Sequence, residues 1–112
     1  MNLCDNLISR KNESQKILLK YTNRVPIIVN KCSTCALNDL KKNKFLVEKN
    51  MKFKNFIYII RNNIKLEKHE SLFVLVNNIL VSNNTTMADI YSEHKNEDGF
   101  LYITYTAENT FG

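Results

Sequence analysis

The pair Cys32-Ser-Thr-Cys35 has the spacing at which two thiolates reach one metal ion or close one disulfide. A closed zinc site takes four ligands, yet only Cys4 remains and neither histidine stands at a matching spacing, so a complete centre would need a second chain. Two ordinary loop thiols are the plainer reading. The imidazoles His69 and His94 lie between Lys68 and Glu70 and between Glu93 and Lys95, the surroundings of solvated surface positions. Ser71 and Asp89 are available for a hydrolytic triad, but no glycine-framed turn presents a serine nucleophile. With Gly99 and Gly112 the only glycines, no phosphate-cradling loop exists. Lys41-Lys42-Asn43-Lys44 and Lys49-Asn50-Met51-Lys52-Phe53-Lys54 interleave cations with apolar residues, but three arginines offer little bidentate base reading, so solvated lysines are expected and nucleic acid is not. No catalytic residue, metal or cofactor is expected.

A chain of 112 residues supports one core and not two. At 44% hydrophobic and 24% charged residues it has a globular composition. The net charge of +5 favours acidic peptides, anionic lipid or nucleic acid. Part of the lysine excess accompanies 17 asparagines, a skew that points to genomic base composition. With one proline and two glycines, asparagine must supply many turns, and Asn62-Asn63, Asn77-Asn78 and Asn83-Asn84 suit that duty. An odd number of cysteines without a secretory leader implies a reducing compartment, where the acceptor-like Asn12, Asn83 and Asn84 stay unglycosylated. No run reaches the roughly 18 to 20 apolar residues that span a bilayer.

The elements that must position these residues follow from periodicity. Residues 5–21 read as a polar helix and Arg24–Val29 as a strand that tolerates a missing donor at Pro26. Asn30–Asn43 is a loop leading to the strand Lys44–Val47. Phe53, Phe56, Ile57, Ile60 and Ile64 recur at helical spacing. Ser71–Val81 reads as a buried strand, a turn at Asn77-Asn78 and a short return. Thr85–His94 is a short helix with a threonine cap, and Phe100–Tyr105 an alternating strand. Helix, two strands, helix, strand, short helix, strand is the element order of an α+β, β-grasp (ubiquitin-like) mixed sheet on one long helix. The domain plan is an N-terminal helical extension over 1–22, a β-grasp domain over 23–106 and a conjugation tail over 107–112. A terminal glycine can be chance; it is also the residue a ubiquitin-like modifier needs, since without a Cβ its carboxylate enters a narrow adenylating site and passes to a cysteine thioester.

Asn23-Arg24-Val25-Pro26-Ile27-Ile28-Val29, Lys44-Phe45-Leu46-Val47, Ile60-Arg61, Phe73-Val74-Leu75-Val76-Asn77-Asn78, Glu97-Asp98-Gly99-Phe100-Leu101-Tyr102 and Glu108-Asn109-Thr110-Phe111-Gly112 together carry a family likeness. The chain resembles the autophagy ubiquitin-like modifiers of the GABARAP and light-chain-3 family, from about residue 7 to its end, with apicomplexan members among the relatives it suggests. The resemblance implies lipid conjugation of Gly112 to phosphatidylethanolamine by activating and conjugating enzymes, which makes the protein a substrate and not an enzyme. In most relatives a protease first removes residues beyond the glycine, whereas this sequence already ends there. The protein would be cytoplasmic and monomeric before conjugation, then membrane-associated on autophagosomes, or on the apicoplast outer membrane if apicomplexan. It would also capture adaptor proteins through short linear motifs, an aromatic residue, two spacers and an aliphatic residue, added as a strand beside Lys44–Val47. The resemblance assigns Glu13, Ile17, Pro26, Ile28, Lys44, Leu46 and Phe100 to an aromatic pocket. It assigns Phe45, Val47, Met51, Phe56, Ile59 and Ile60 to an aliphatic pocket, and Arg24, Lys42 and Arg61 to contacts with acidic flanks.

The departures are specific. The N-terminal segment is shorter and less basic than in relatives, Asn63 replaces a common basic residue, and Val81-Ser82 stands where prolines are frequent. Two other classes stay open: an unconjugated peptide-binding scaffold, and a redox or zinc protein using Cys32 and Cys35.

Overall fold

A computed structural model describes residues 3–32, 37–67 and 70–107, with side chains from Leu7 onward. Gly112, the tail beyond Ala107, Cys35 and His69 fall outside the described residues.

The helix α1 spans Leu3–Lys20, and the turn after it closes when the Arg24 amide donates to the Tyr21 carbonyl at 3.1 Å. The strand β1, Arg24–Lys31, runs two residues past its sequence boundary, because Asn30 and Lys31 find partners in Thr104 and Tyr105 of β4 (Leu101–Thr106). β2, Lys44–Glu48, pairs antiparallel with β1, and β3, Phe73–Val76, pairs antiparallel with β4. The order is β2-β1-β4-β3, with β1 and β4 parallel at the centre. Pro26 sits one residue before β4 comes alongside at Ile27, where β1 has a neighbour on one side only, so its missing N–H removes no bond to β4.

The helix α2, Phe53–Asn63, crosses one face of this sheet. Phe53, Phe56, Ile60 and Ile64 bury against Val25, Ile27, Val29, Ile103 and Tyr105, the alternate residues of the central strands. α3, Met87–His94, begins at Thr86, whose hydroxyl accepts from the Asp89 amide at 3.3 Å, and contributes Met87 and Ile90 to the same core.

The run Ser71–Val81 gives less strand than its apolar content predicts. Asn77 and Asn78 both adopt left-handed backbone, φ 51° and 65°, the pair a tight hairpin turn requires. The return is then a single bridge from Val76 to Ile79, and Ile79 and Leu80 lie half exposed. Among the described residues no further strand lies beyond to hold them in a ladder. Of the other asparagine pairs, Asn62-Asn63 closes α2 and leaves the left-handed step to Lys65, φ 56°.

Candidate functional site: a groove along the β2 edge

Among the described residues β2 has a strand partner on one side only, so its outer edge presents backbone groups that no ladder takes up. Alternation sends Phe45 and Val47 toward α2, and Lys44 and Leu46 to the face that α1 covers. There, register places Pro26 beside Leu46 and Ile28 beside Lys44. An open cavity of about 150 Å³ forms where α1 crosses this face. Six of the seven aromatic-pocket residues line it, namely Glu13, Ile17, Pro26, Lys44, Leu46 and Phe100, together with Lys42 and Phe45. Ile28 lies beneath, 5% exposed, and does not reach the opening.

The walls are apolar and the rim is charged. Lys44 Nζ donates to both Glu13 carboxylate oxygens, at 2.9 and 3.1 Å, and stands 6.0 Å from the centre of the Phe100 ring. Both partners of that ion pair are well exposed, so it is worth at most about 1 kcal/mol and opens at small cost. A recess of this kind accepts one aromatic or large aliphatic side chain and lets a polar edge meet the rim.

The residues assigned to the aliphatic pocket are differently placed. Val47, Phe56 and Ile60 belong to the main core, and the Phe45 ring packs edge-on against Phe56 at 5.6 Å. Met51 is partly buried against that core and Ile59 is half-buried. The recess that is open beside Phe45 has about 150 Å³ and is lined by Leu40, Lys41, Lys42 and Asn63. Lys42 and Phe45 therefore border both cavities. Arg24 donates to the Leu46 carbonyl at 3.4 Å across the edge, whereas Arg61 donates to the carbonyls of Glu67 and Glu70, both at 3.0 Å, and staples the chain after α2.

A buried polar cluster fixes α1 and Phe100 around the cavity. Ser14 Oγ donates to the Asp98 carbonyl at 2.6 Å, and the Asp98 carboxylate accepts from the Phe100 amide at 2.9 Å and from the Tyr102 hydroxyl. Arg10 donates to Tyr102 Oη at 3.0 Å, and Tyr91 Oη donates to the Gly99 carbonyl at 2.6 Å. Gly99 has φ 86°, and a Cβ there would lie 2.2 Å from Ser14 Oγ, so only glycine allows the helix this close. Burial, reinforced by the hydrogen bond to Asp98, pushes the Tyr102 phenol up to about 12. Burial and then the Asp98 charge also raise the Tyr91 phenol.

The family model described as "Autophagy protein Atg8 ubiquitin like" matches residues 9–112. The chain belongs to the Atg8 family. Autophagy-related protein 8 of Schizosaccharomyces pombe is 45% identical over 103 residues, 92% of this chain and 85% of that protein. Autophagy-related protein 8a of Arabidopsis thaliana is 44% identical over 106 residues, 95% and 87% of the two chains. Among solved structures, Trypanosoma brucei ATG8 superposes with a TM-score of 0.85 at 37% identity, covering 95% of this chain and 91% of that one. Plasmodium falciparum Atg8, solved in complex with a Plasmodium falciparum Atg3 peptide, gives 0.86 at 32% identity over 97% and 98%. The ubiquitin-like fold and the autophagy family read from the sequence are both borne out.

Within this Atg8 chain, Arg10, Ser14, Asp98 and Tyr102 hold the groove in shape, a role that the sequence alone did not assign to them. The Asp98-Gly99 turn before a strand was the available signal. His94 is half-buried beside Glu93 at 3.7 Å, and Ser71 and Asp89 are exposed. Among the described residues no three His, Cys, Asp or Glu side chains converge on a metal-sized site. No helix among them is long and apolar enough to cross a membrane.

Proposed function

We propose that this Atg8 chain is a modifier joined through the Gly112 carboxyl group to phosphatidylethanolamine, and that on autophagosomal membranes it recruits adaptors bearing an aromatic-x-x-aliphatic motif. One observation carries the peptide-binding half: an unpartnered strand edge with an apolar cavity directly in front of it. Added backbone bonds along Lys44–Glu48 supply affinity that is indifferent to sequence, and the recess at Pro26, Leu46 and Phe100 supplies selection, at about 25 cal/mol per Å² of apolar surface buried.

The conjugation half follows from carboxylate chemistry. A carboxylate does not acylate an amine unaided. Adenylation by ATP expels pyrophosphate, an enzyme cysteine displaces AMP to form a thioester, and the lipid amine displaces that thiol to give an amide. The partners are thus an activating enzyme, a conjugating enzyme and the lipid, and the Atg3 peptide bound to the Plasmodium relative supports a conjugating enzyme among them. Imaging of the tagged chain distinguishes autophagosomal membranes from the apicoplast outer membrane suggested by the asparagine-rich composition.

Incubation with the cognate activating and conjugating enzymes, ATP and phosphatidylethanolamine vesicles should add one lipid mass and float the protein. Gly112→Ala should lose both while binding motif peptides as tightly as the parent. An unmodified parent chain with enzymes of verified activity would leave an unconjugated peptide-binding scaffold.

A further inference from the structure

The cavity in front of β2 holds about 150 Å³ of open space. An apolar hollow of that size takes up one benzene molecule. A phenyl ring therefore fills it, whereas an indole, with a second fused ring, enters only if a wall gives way. The sheet side is fixed, because Pro26 faces Leu46 across the β1–β2 ladder and Ile28 beneath them is paired on both sides, with Lys44 and with Tyr102. Phe100 is held through its backbone: its amide donates to the Asp98 carboxylate at 2.9 Å, and its carbonyl accepts from the Asn96 amide at 2.9 Å.

The remaining wall is α1, which contributes Glu13 and Ile17. Ser14 stands between those two residues without lining the cavity, and it is buried. Its hydroxyl donates to the Asp98 carbonyl at 2.6 Å, and a Cβ on Gly99 would overlap that same hydroxyl, so helix and loop meet at closest approach. Arg10, one turn earlier, adds a second tie by donating to Tyr102 Oη at 3.0 Å. We infer that the aromatic cavity is cut to one six-membered ring, that the chain selects phenylalanine over tryptophan at the aromatic position of the docked motif, and that Ser14 is the positioning residue that sets this limit through Glu13 and Ile17. The inference rests on the strand docking proposed above and adds to it which aromatic residue the partner carries. A second ring forced between fixed walls meets the cost of overpacking, which lowers affinity on the order of tenfold.

Calorimetric titration of the intact chain with two peptides that differ only at the aromatic position tests it. The phenylalanine peptide should bind roughly tenfold more tightly than the tryptophan peptide. Ser14→Ala removes the hydroxyl and its bond to Asp98, so α1 can yield, and most of that difference should disappear. A merely structural role for Ser14 would weaken both peptides alike and leave their ratio unchanged. Leu46→Ala enlarges the cavity from the sheet side without touching α1, and it should lower the ratio in the same direction. Equal affinities for the intact chain, or a preference for tryptophan, overturn the size limit and leave strand docking intact. A phenylalanine preference that Leu46→Ala removes and Ser14→Ala does not overturns the role of Ser14. A preference that persists in both variants has an origin other than cavity size and overturns the inference. Failure of both peptides to bind the intact chain overturns strand docking itself.

Discussion

Tyr102 connects the groove to a measurable titration. Its phenol reaches about 12 from a usual 10.0 through burial and its hydrogen bond to Asp98, with Arg10 opposing. The unfolded chain releases this proton near pH 10 and the folded chain only near pH 12. Between those values the unfolded state binds fewer protons, so stability falls as pH rises. The urea midpoint should therefore drop over this range, and drop less in Tyr102→Phe. Equal drops in the two proteins would contradict the assignment. At this scale the sequence was partly legible. The family resemblance named Pro26, Lys44 and Leu46, which line one cavity, but the Ser14 to Asp98 bond joins residues 84 positions apart, and no local pattern encodes such a contact.

The elements were more legible than the contacts between them. Phe53, Phe56, Ile60 and Ile64 state the buried stripe of α2 directly, because helical spacing fixes which side chains share a face. The apolar run after β3 overstated its strand, since apolar content signals a preference for burial and does not show whether a neighbouring strand exists to bury it. The turn that ends β3 makes its own prediction. Asn77 holds φ 51°, which a β-branched residue adopts only with strain, and its side-chain amide donates to the His94 carbonyl at 2.8 Å. Asn77→Val should cost about 2 kcal/mol in chemical denaturation, from left-handed strain and the lost hydrogen bond, whereas Asn78→Gly should be neutral or stabilising. A neutral Asn77→Val would show that the turn has another conformation available.

For the whole molecule, the order β2-β1-β4-β3 places the parallel pair β1 and β4 inside and leaves two edges outside. The β-grasp order was readable because two strands, a helix and two further strands with a short helix between them admit few compact arrangements. The pairing of the first strand with the last became visible only in three dimensions. Amide hydrogen exchange should find β1 and β4 slowest and the outward amides of β2 fast. A bound motif peptide should slow the β2 amides and leave those of β3 unchanged. Equal protection at both edges would argue against docking on β2.

The parallel centre also sets how the molecule carries tension. A load applied at the Thr106 end and resisted by a ligand on β2 acts along the strands, so the five residue pairs from Ile27 opposite Leu101 to Lys31 opposite Tyr105 bear it together in shear. Peeling would break the same bonds one after another. Under the proposed function, a chain pulled from a membrane at one end of its last strand and from a cargo along its second strand is gripped in its mechanically stiff direction.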